Sequence, residues 1–215
     1  MYKAVIFDLD GVLVDASRWH FESLNRALKI FGFDIQPDEH KRLYEGLPTN
    51  SKLEMLSKNH SLPVALHRLI WRLKQKYTNR TIAEHCGPDI EKLELLRLLR
   101  DRGLKLAVCS NAIGSTVETM LERSGLLEFF PLTLSNEDVS QPKPNPEIYL
   151  KAFKMLGVLP SECLIVEDSE HGKEAAIRSG AALLPVTCYR EVNVRTILAA
   201  FEHSDDAVAQ EEVRL

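Results

Sequence analysis

The chain has 215 residues, a formal net charge of −4 and a pI near 6.0. This length suits one compact domain with a substantial insertion, or two small domains. The acidic balance argues against the basic face that nucleic-acid or anionic-membrane partners favour. No apolar run approaches the roughly 20 residues that span a bilayer, and no basic leader opens the chain. We therefore expect a cytoplasmic protein, a monomer, with no nucleic-acid or membrane partner.

The four cysteines are widely spaced and form no CxxC pair. Such spacing favours neither a zinc site nor a redox site. The sequence therefore predicts four reduced thiols, as is typical of a cytosolic protein. They are Cys86, Cys109, Cys163 and Cys188.

Five short runs are nearly all apolar and have the length of strands, and they are followed or separated by helical patterns. The predicted strands are residues 3–7, 105–109, 131–134, 163–166 and 182–186. Continuous apolar runs are typical of central strands in a parallel sheet, because helices cover both faces. Glycines or first-turn prolines bound four predicted helices between them. These helices are 89–102, with Ile90, Leu93, Leu96 and Leu99 on its apolar stripe, and 114–124, 146–156 and 171–179.

Between the first two strands, residues 16–82 break this alternation and are mostly helical in pattern. One apolar stripe joins Phe21 to Phe31, a shorter helix is predicted at 50–59, and a second stripe follows. That second stripe comprises Leu66, Leu69, Ile70, Leu73 and Tyr77. The insertion leaves the sheet at the carboxyl end of the first strand, where ligands bind in open α/β sheets. It is therefore predicted to be a lid that closes over a site.

Acidic residues end two of the predicted strands. Asp8 and Asp10 follow the first strand, and Glu167 and Asp168 follow the fourth. If these strands are parallel neighbours, four carboxylates meet at one edge with Lys143 as the nearby cation. That leaves a charge of −3, which is plausible with a divalent cation. Oxygen-only ligands favour Mg²⁺ or Ca²⁺, and Mg²⁺ often shares its ligands with a phosphate.

A pair of aspartates at a strand end is weak evidence when taken alone, because aspartate is also common in turns. The combined pattern is stronger. Ser110 and Asn111 follow the second strand, and Lys143 lies between two prolines before a helix. All of these side chains are predicted to lie at the same edge of the sheet.

Four motifs in this order resemble those of the haloacid-dehalogenase-like superfamily of phosphotransferases. The likeness is to the subgroup with β-phosphoglucomutase and many small-metabolite phosphatases. The motifs are FDLDGVLVD (7–15), VCSNA (108–112), QPKPNPEIY (141–149) and VEDSEHG (166–172). The resemblance implies a three-layer, Rossmann-like α/β core with sheet order 5-4-1-2-3 and an inserted all-helical cap. On that division, residues 1–15 and 83–215 form the core and residues 16–82 form the cap.

The resemblance also implies roles for the motif residues. Asp8 would be the nucleophile that becomes an aspartyl phosphate, and Asp10 would be the general acid and then the general base. Lys143 would neutralise developing charge, while Ser110 and the Asn111 backbone would hold phosphate oxygens.

A magnesium ion is the cofactor that the family pattern implies. Its ligands would be the Asp8 side chain, the Asp10 backbone carbonyl and Asp168, with Glu167 in or next to the coordination shell. An aspartate at position 10 also favours phosphate esters, because dehalogenases and phosphonatases of the superfamily lack it.

The cap is expected to select the substrate through His20, Gly46 and Thr49. The related mutase has an arginine where this chain has Thr49 and Asn50, which favours simple hydrolysis. An alternative for His20 stays open, in which it is a histidine on the helix surface that packs near the hinge and does not contact the substrate. His171 is expected at the surface, and Lys74, Lys76 and Arg80 are expected to form a solvated face. Lys74 would then have no part in the site.

The sequence thus predicts a Mg²⁺-dependent phosphatase that hydrolyses a small phosphorylated metabolite, with phosphosugar monoesters as the leading class. A mutase of the β-phosphoglucomutase type is the first alternative. A regulatory module that retains only the fold is the second, and the intact acids and Lys143 argue against it. The acidic residues after Phe201 are expected to be loosely packed.

Overall fold

A computed structural model describes residues 2–202 of the chain. Its centre is a five-stranded parallel sheet with the order β3-β2-β1-β4-β5. The strands are β1 (Ala4–Phe7), β2 (Lys105–Cys109), β3 (Leu132–Leu134), β4 (Cys163–Glu167) and β5 (Ala182–Pro185). Seen from its other edge, this is the order 5-4-1-2-3, so the predicted topology is confirmed.

The register of the central strands positions the acidic residues. Phe7 pairs with Val108 of β2 on one side and with Val166 of β4 on the other. The amide of Asp8 continues the ladder by donating to the carbonyl of Val166 at 3.0 Å. The residues that follow β1 and β4 therefore leave the sheet side by side at its carboxyl edge.

Helices cover both faces of the sheet and make the three layers that the sequence predicts. Side chains of β1 alternate between the faces, with Val5 and Phe7 in one apolar cluster and Ala4 and Ile6 in the other. The first cluster also contains residues of α5 (Ile90–Asp101) and α6 (Gly114–Arg123). The second contains residues of α7 (Glu147–Leu156) and α8 (Glu170–Ser179). Residues 194–202 are also helical.

Helices fill most of the chain between β1 and α5 and have an apolar cluster of their own that includes Leu24, Leu53 and Ile70, as expected of the predicted cap. The division at residues 16–82 stays a prediction. Helices α1 and α4 pack against each other. The cap elements are α1 (Ser17–Lys29), α2 (Pro37–Glu39), a π-helical turn (His40–Tyr44), α3 (Thr49–His60) and α4 (His67–His85), with a 3-10 turn (Val64–Leu66) before α4.

Three residues of the predicted helix faces are placed differently by the structure. Ile90, at the start of α5, is 72% exposed, and Leu95 is buried in the core instead. In α4, Leu69 is 47% exposed and Lys74 is buried. The assignment of Lys74 to a solvated face was therefore wrong. The buried row of α4 follows a four-residue spacing through Ile70, Lys74, Thr78 and Ile82.

Other expectations from the sequence have separate outcomes. All four cysteines are free thiols, as predicted, and three of them are buried. Among the helices of residues 2–202, none combines the length and apolar character that crossing a membrane requires. The expectation for the acidic tail lies outside the described residues, apart from Glu202, which is still helical. A monomeric state and a cytoplasmic location stay predictions.

Candidate active site

The carboxyl edge of the sheet and the cap enclose a cavity of about 210 Å³. Nearly every residue that the sequence assigned to the site lines this cavity. From the core these are Asp8, Asp10, Ser110, Asn111, Lys143 and Asp168, and from the cap they are His20, Gly46 and Thr49. The structure thus brings together residues that lie up to 160 positions apart in the chain, since Asp8 meets Asp168.

Lys143 is the buried centre of the hydrogen-bond network beneath this cavity. Its Nζ donates to Asp8 Oδ1, to Glu167 Oε2 and to the carbonyl of Cys109, each at 2.7 Å. Tyr149 donates its hydroxyl to the same Glu167 oxygen at 2.9 Å. Burial alone would lower the pKa of Lys143, but the carboxylates of Asp8 and Glu167 hold it well above its ordinary value. The lysine is therefore a fixed positive charge.

Glu167 supports the loop that carries Asp168. Its Oε1 accepts from the backbone amides of Asp168 and Ser169 and from the Ser169 hydroxyl at 2.9–3.2 Å. Burial raises the pKa of this carboxyl, but Lys143 and these hydrogen bonds outweigh that effect and lower it overall. Glu167 therefore stays ionised in the interior, with both oxygens engaged.

Three carboxylates converge in a group that could hold a metal ion. One oxygen each from Asp8, Glu167 and Asp168 lies within 4.8 Å of the others. Burial and the neighbouring Glu167 raise the pKa of Asp8 to about 8, although Lys143 opposes the shift. Burial, Asp8 and Glu167 raise the pKa of Asp168 to about 9. The donor set is all oxygen, and the raised pKa values reflect the crowding of like charges, so the set fits a hard divalent cation such as Mg²⁺, which would favour the ionised carboxylates.

Gly11 allows the loops after β1 and β4 to approach each other. Its backbone has φ +83°, a left-handed conformation that glycine adopts at no steric cost. A Cβ atom at this position would overlap the carboxylate of Asp168 and crowd the hydroxyl of Ser17. The glycine therefore leaves room for Asp168 beside the Asp8–Asp10 turn.

Asp10 is held by a chain of cap residues. His20 Nε2 lies 2.9 Å from Asp10 Oδ1, and Lys74 Nζ lies 3.0 Å from His20 Nδ1. An ammonium group can only donate, so Nδ1 accepts from Lys74 and Nε2–H donates to Asp10. Burial raises the pKa of Asp10, but His20, Lys74 and Lys52 outweigh it and lower the pKa overall. The surface alternative for His20 is thus replaced by a direct contact with Asp10.

Polar contacts join the core to the cap above the cavity. Asn111 donates its Nδ2 to the carbonyls of Gly46 and Lys143, at 2.7 and 3.1 Å. His171 lies with its Nδ1 2.9 Å from the carbonyl of Glu45, so this residue faces the cap rather than open solvent. Gly46 has φ +75°, and a Cβ there would overlap Ser169. The cap is therefore in contact with the core in this structure.

Sequence reasoning missed several residues of the cavity. Lys52 and Lys74 are 7% and 8% exposed and both line it, together with Glu45 and Ser169. The sequence did contain one indication of burial, because each lysine lies among apolar residues on the buried row of its helix. A lysine is seldom fully buried, so that pattern favoured an exposed face.

Comparisons with known proteins identify the family of this chain. The family model described as "Haloacid dehalogenase-like hydrolase" matches residues 5–186. The chain belongs to this family. Family membership, predicted from the four motifs, is confirmed.

This hydrolase has relatives that are named as phosphatases and relatives that are named as β-phosphoglucomutases, the two activities that the sequence suggested. It is 30% identical over 178 residues to the phosphorylated carbohydrates phosphatase of Thermotoga maritima, covering 83% of this chain and 82% of that protein. It is 27% identical over 186 residues to the β-phosphoglucomutase of Bacillus subtilis, covering 83% and 80%. A crystal structure of β-phosphoglucomutase from Clostridium difficile superposes with a TM-score of 0.83 at 21% identity, covering 97% and 100%. That last likeness concerns the fold alone.

The network beneath the cavity predicts a stability effect that is separate from activity. Lys143→Met should lower the free energy of unfolding by about 3–5 kcal/mol, because it leaves Glu167 buried without its cation. Adding Glu167→Gln should recover part of that loss, since the unpaired charge is gone. Urea denaturation measures both effects. Lys154→Met, an exposed control on α7, should stay within about 0.5 kcal/mol. A loss below about 1 kcal/mol for Lys143→Met would contradict the proposed network.

Proposed function

We propose that this hydrolase is a Mg²⁺-dependent phosphatase that cleaves a small phosphorylated metabolite through an aspartyl phosphate on Asp8. One observation carries the proposal. A buried aspartate, held by a lysine at 2.7 Å, lies beside a second carboxylate in a cavity that the cap covers. A carboxylate positioned in this way can act as a nucleophile toward phosphorus, and the lysine can offset the charge that develops.

In the first step, a carboxylate oxygen of Asp8 attacks the phosphorus atom and the bond to the ester oxygen breaks. Asp10 gives its proton to the departing oxygen, which leaves as an alcohol. Lys143 stabilises the charge on Asp8 and the transferring group. Ser110 and the Asn111 backbone are the proposed ligands of the remaining phosphate oxygens, because both residues line the cavity beside Asp8.

In the second step, Asp10 takes a proton from water and the resulting hydroxide attacks the phosphorus of the aspartyl phosphate. The bond from phosphorus to Asp8 breaks, and inorganic phosphate leaves. The contact from His20 Nε2–H lowers the pKa of Asp10, so it favours the ionised form that this step needs. The first step needs the protonated form, and transfer of the proton to the ester oxygen returns Asp10 to the ionised one.

Magnesium would be held by Asp8, Asp168 and the backbone carbonyl of Asp10. When bound, it would neutralise phosphate charge and orient the phosphoryl group. Glu167 is also one of the three clustered carboxylates. However, Lys143 and Tyr149 donate to one of its oxygens, and the loop at Asp168 donates to the other. We therefore assign Glu167 a position next to the metal ligands, where it fixes Lys143 and Asp168.

The size of the cavity supports a small substrate. About 210 Å³ lies below the roughly 300–1,000 Å³ of pockets that accept drug-sized ligands. A relative named for phosphorylated carbohydrates supports phosphosugar-like monoesters as the leading class. His20, Gly46 and Thr49 line the cavity from the cap, which supports the proposal that they select the substrate.

A phosphosugar mutase is the second candidate, because a β-phosphoglucomutase is among the relatives. Thr49 and Asn50 line the cavity where the resemblance to the mutase calls for an arginine. Hydrolysis is therefore the favoured activity. Conversion of β-glucose 1-phosphate to glucose 6-phosphate without release of inorganic phosphate would favour the mutase instead.

Replacing the nucleophile tests the proposal directly. Asp8→Asn should lower p-nitrophenyl phosphate hydrolysis at least about 1,000-fold, because an amide cannot form the aspartyl phosphate. Phosphate release measured with Mg²⁺ present gives the rate, and circular dichroism checks that the variant is folded. Asp101→Asn, the same change at an exposed position, should keep wild-type turnover. Turnover in Asp8→Asn within tenfold of wild type would refute the assignment.

The leaving group tests the role of Asp10. Asp10→Asn should slow the formation of the phosphoenzyme about 100- to 10,000-fold with an alkyl phosphate, because the departing alkoxide needs a proton. The same step with p-nitrophenyl phosphate should slow much less, since nitrophenolate leaves without protonation. Rapid-quench measurement of the first step separates it from hydrolysis of the intermediate. Equal losses for both esters would count against Asp10 as the acid.

A further inference from the structure

Lys52 is a buried lysine that the catalytic proposal does not use. It lies in the first turn of α3, is 7% exposed, and lines the same cavity as Asp8 from the cap side. Its Nζ lies 3.4 Å from His40 Nε2. Among the residues that the structure describes, no carboxylate lies within salt-bridge distance of this ammonium group.

Other buried lysines show what a structural role requires. Lys92 donates to the carbonyls of Tyr189 and Val192 at 3.0 and 2.7 Å, and Lys143 donates to two carboxylates and a carbonyl. An ammonium group has three donors, and burying it is costly unless they are satisfied. Lys52 has one long contact with a histidine, so it retains donors for a group inside the cavity.

The groups that surround Lys52 do not supply a counter-charge by contact. Burial, together with Lys52 itself and His20, lowers the pKa of His40 to about 3, so this partner is a neutral acceptor. Burial and the positive charge of Lys74 lower the pKa of Lys52 to about 7. Asp10 and Glu45 oppose that shift only through space. An anion in the cavity would therefore stabilise the Lys52 ammonium strongly.

The first turn of α3 adds further attraction for an anion. Pro48, Thr49 and Asn50 line the cavity next to Lys52, so the N-terminus of this 12-residue helix faces it. The amides of the first three helical residues have no acceptor within their own helix, and the helix dipole favours negative charge at that end. The lysine and the helix terminus thus favour the same kind of ligand at one place.

Charge is divided across the cavity. The core side carries Asp8, Asp10 and Asp168 around Lys143, an arrangement suited to a cation and a phosphoryl group. The cap side carries Lys52 and Lys74 against Glu45. A ligand that spans the cavity is therefore expected to be negative at both ends.

We propose that Lys52 and the first turn of α3 form a second anion subsite, so that the substrate carries a carboxylate or second phosphate besides the phosphoryl group that is transferred. This inference rests on the proposed phosphatase function, which it extends by naming the substrate class. Lys52 is a specificity residue here, because it binds the end of the substrate that does not react.

Matched substrates test the subsite. 3-Phosphoglycerate and glycerol 3-phosphate differ by a carboxylate, and fructose 1,6-bisphosphate and fructose 6-phosphate differ by a phosphate. The doubly anionic member of at least one pair should have a kcat/KM about 10- to 100-fold higher, as expected for a charge-assisted contact. The pair with the larger ratio identifies the anion that the cap prefers.

Variants of Lys52 show whether it causes the preference. Lys52→Met should bring the ratio within a matched pair close to one, while Lys52→Arg should retain most of it. Lys58→Met, an exposed control on the same helix, should keep the wild-type ratio. A Lys52→Met variant that lowers both members of a pair equally, and so leaves the ratio unchanged, would overturn the subsite.

Binding to Asp8→Asn separates failure of the subsite from failure of the phosphatase. Calorimetry of this variant with Mg²⁺ gives the Kd ratio of each pair without turnover, and Lys52→Met in that background should abolish the ratio. If the wild type hydrolyses p-nitrophenyl phosphate but the Kd values are equal within both pairs, the subsite is refuted and the phosphatase proposal is retained. If the Kd ratio depends on Lys52 but the wild type hydrolyses no ester, the subsite is supported and the phosphatase proposal is refuted.

Discussion

A single ammonium group, Lys143 Nζ, joins the carboxyl ends of β1 and β4. It donates to Asp8 and Glu167, which would otherwise repel each other in the interior. Glu167 in turn holds the backbone of the loop that begins at Asp168. Because breaking such a buried pair is costly, the position of Asp8, the proposed nucleophile, and that of Asp168, a proposed metal ligand, depend on one another. The parallel register of β1 and β4 makes this contact possible, since both strands end at the same level.

The cap brings positively charged groups to the cavity, whereas the core side carries the cluster of acids. The buried Lys74 of the cap holds His20 in the tautomer that donates to Asp10, so the cap positions the proposed acid–base residue. Lys52 adds a second positive group, while contacts from Asn111 and His171 to the Glu45–Gly46 backbone hold the cap against the core. The proposed nucleophile and metal ligands thus lie on the core side, while the cap supplies the contacts to Asp10 and the residues that are proposed to select the substrate. A change in the cap can alter which ester enters without moving the nucleophile.

The core and the cap differ in how much the sequence could predict. Continuous apolar runs, as in β1 and β4, require burial on both faces, so the parallel sheet and the meeting of Asp8, Lys143 and Asp168 followed from pattern. Which faces of the cap helices are buried could not be predicted from the pattern. Lys74 interrupts an apolar row in α4, and only packing against α1 shows that the row is buried. Periodicity locates a helix, but the burial of one lysine depends on contacts between distant segments.

Magnesium binding tests most directly whether the acid cluster is arranged for a cation. Thermal unfolding of the chelator-treated protein, followed as Mg²⁺ is added, measures binding without any substrate. A ligand that binds only the folded state at 100 times its Kd contributes about 2.7 kcal/mol, which for this chain length raises Tm by roughly 5–11 °C. Such a rise is expected in the wild type, and its loss is expected in Asp168→Asn. An unchanged Tm in millimolar Mg²⁺, with phosphatase activity retained in chelator, would contradict the proposed magnesium site.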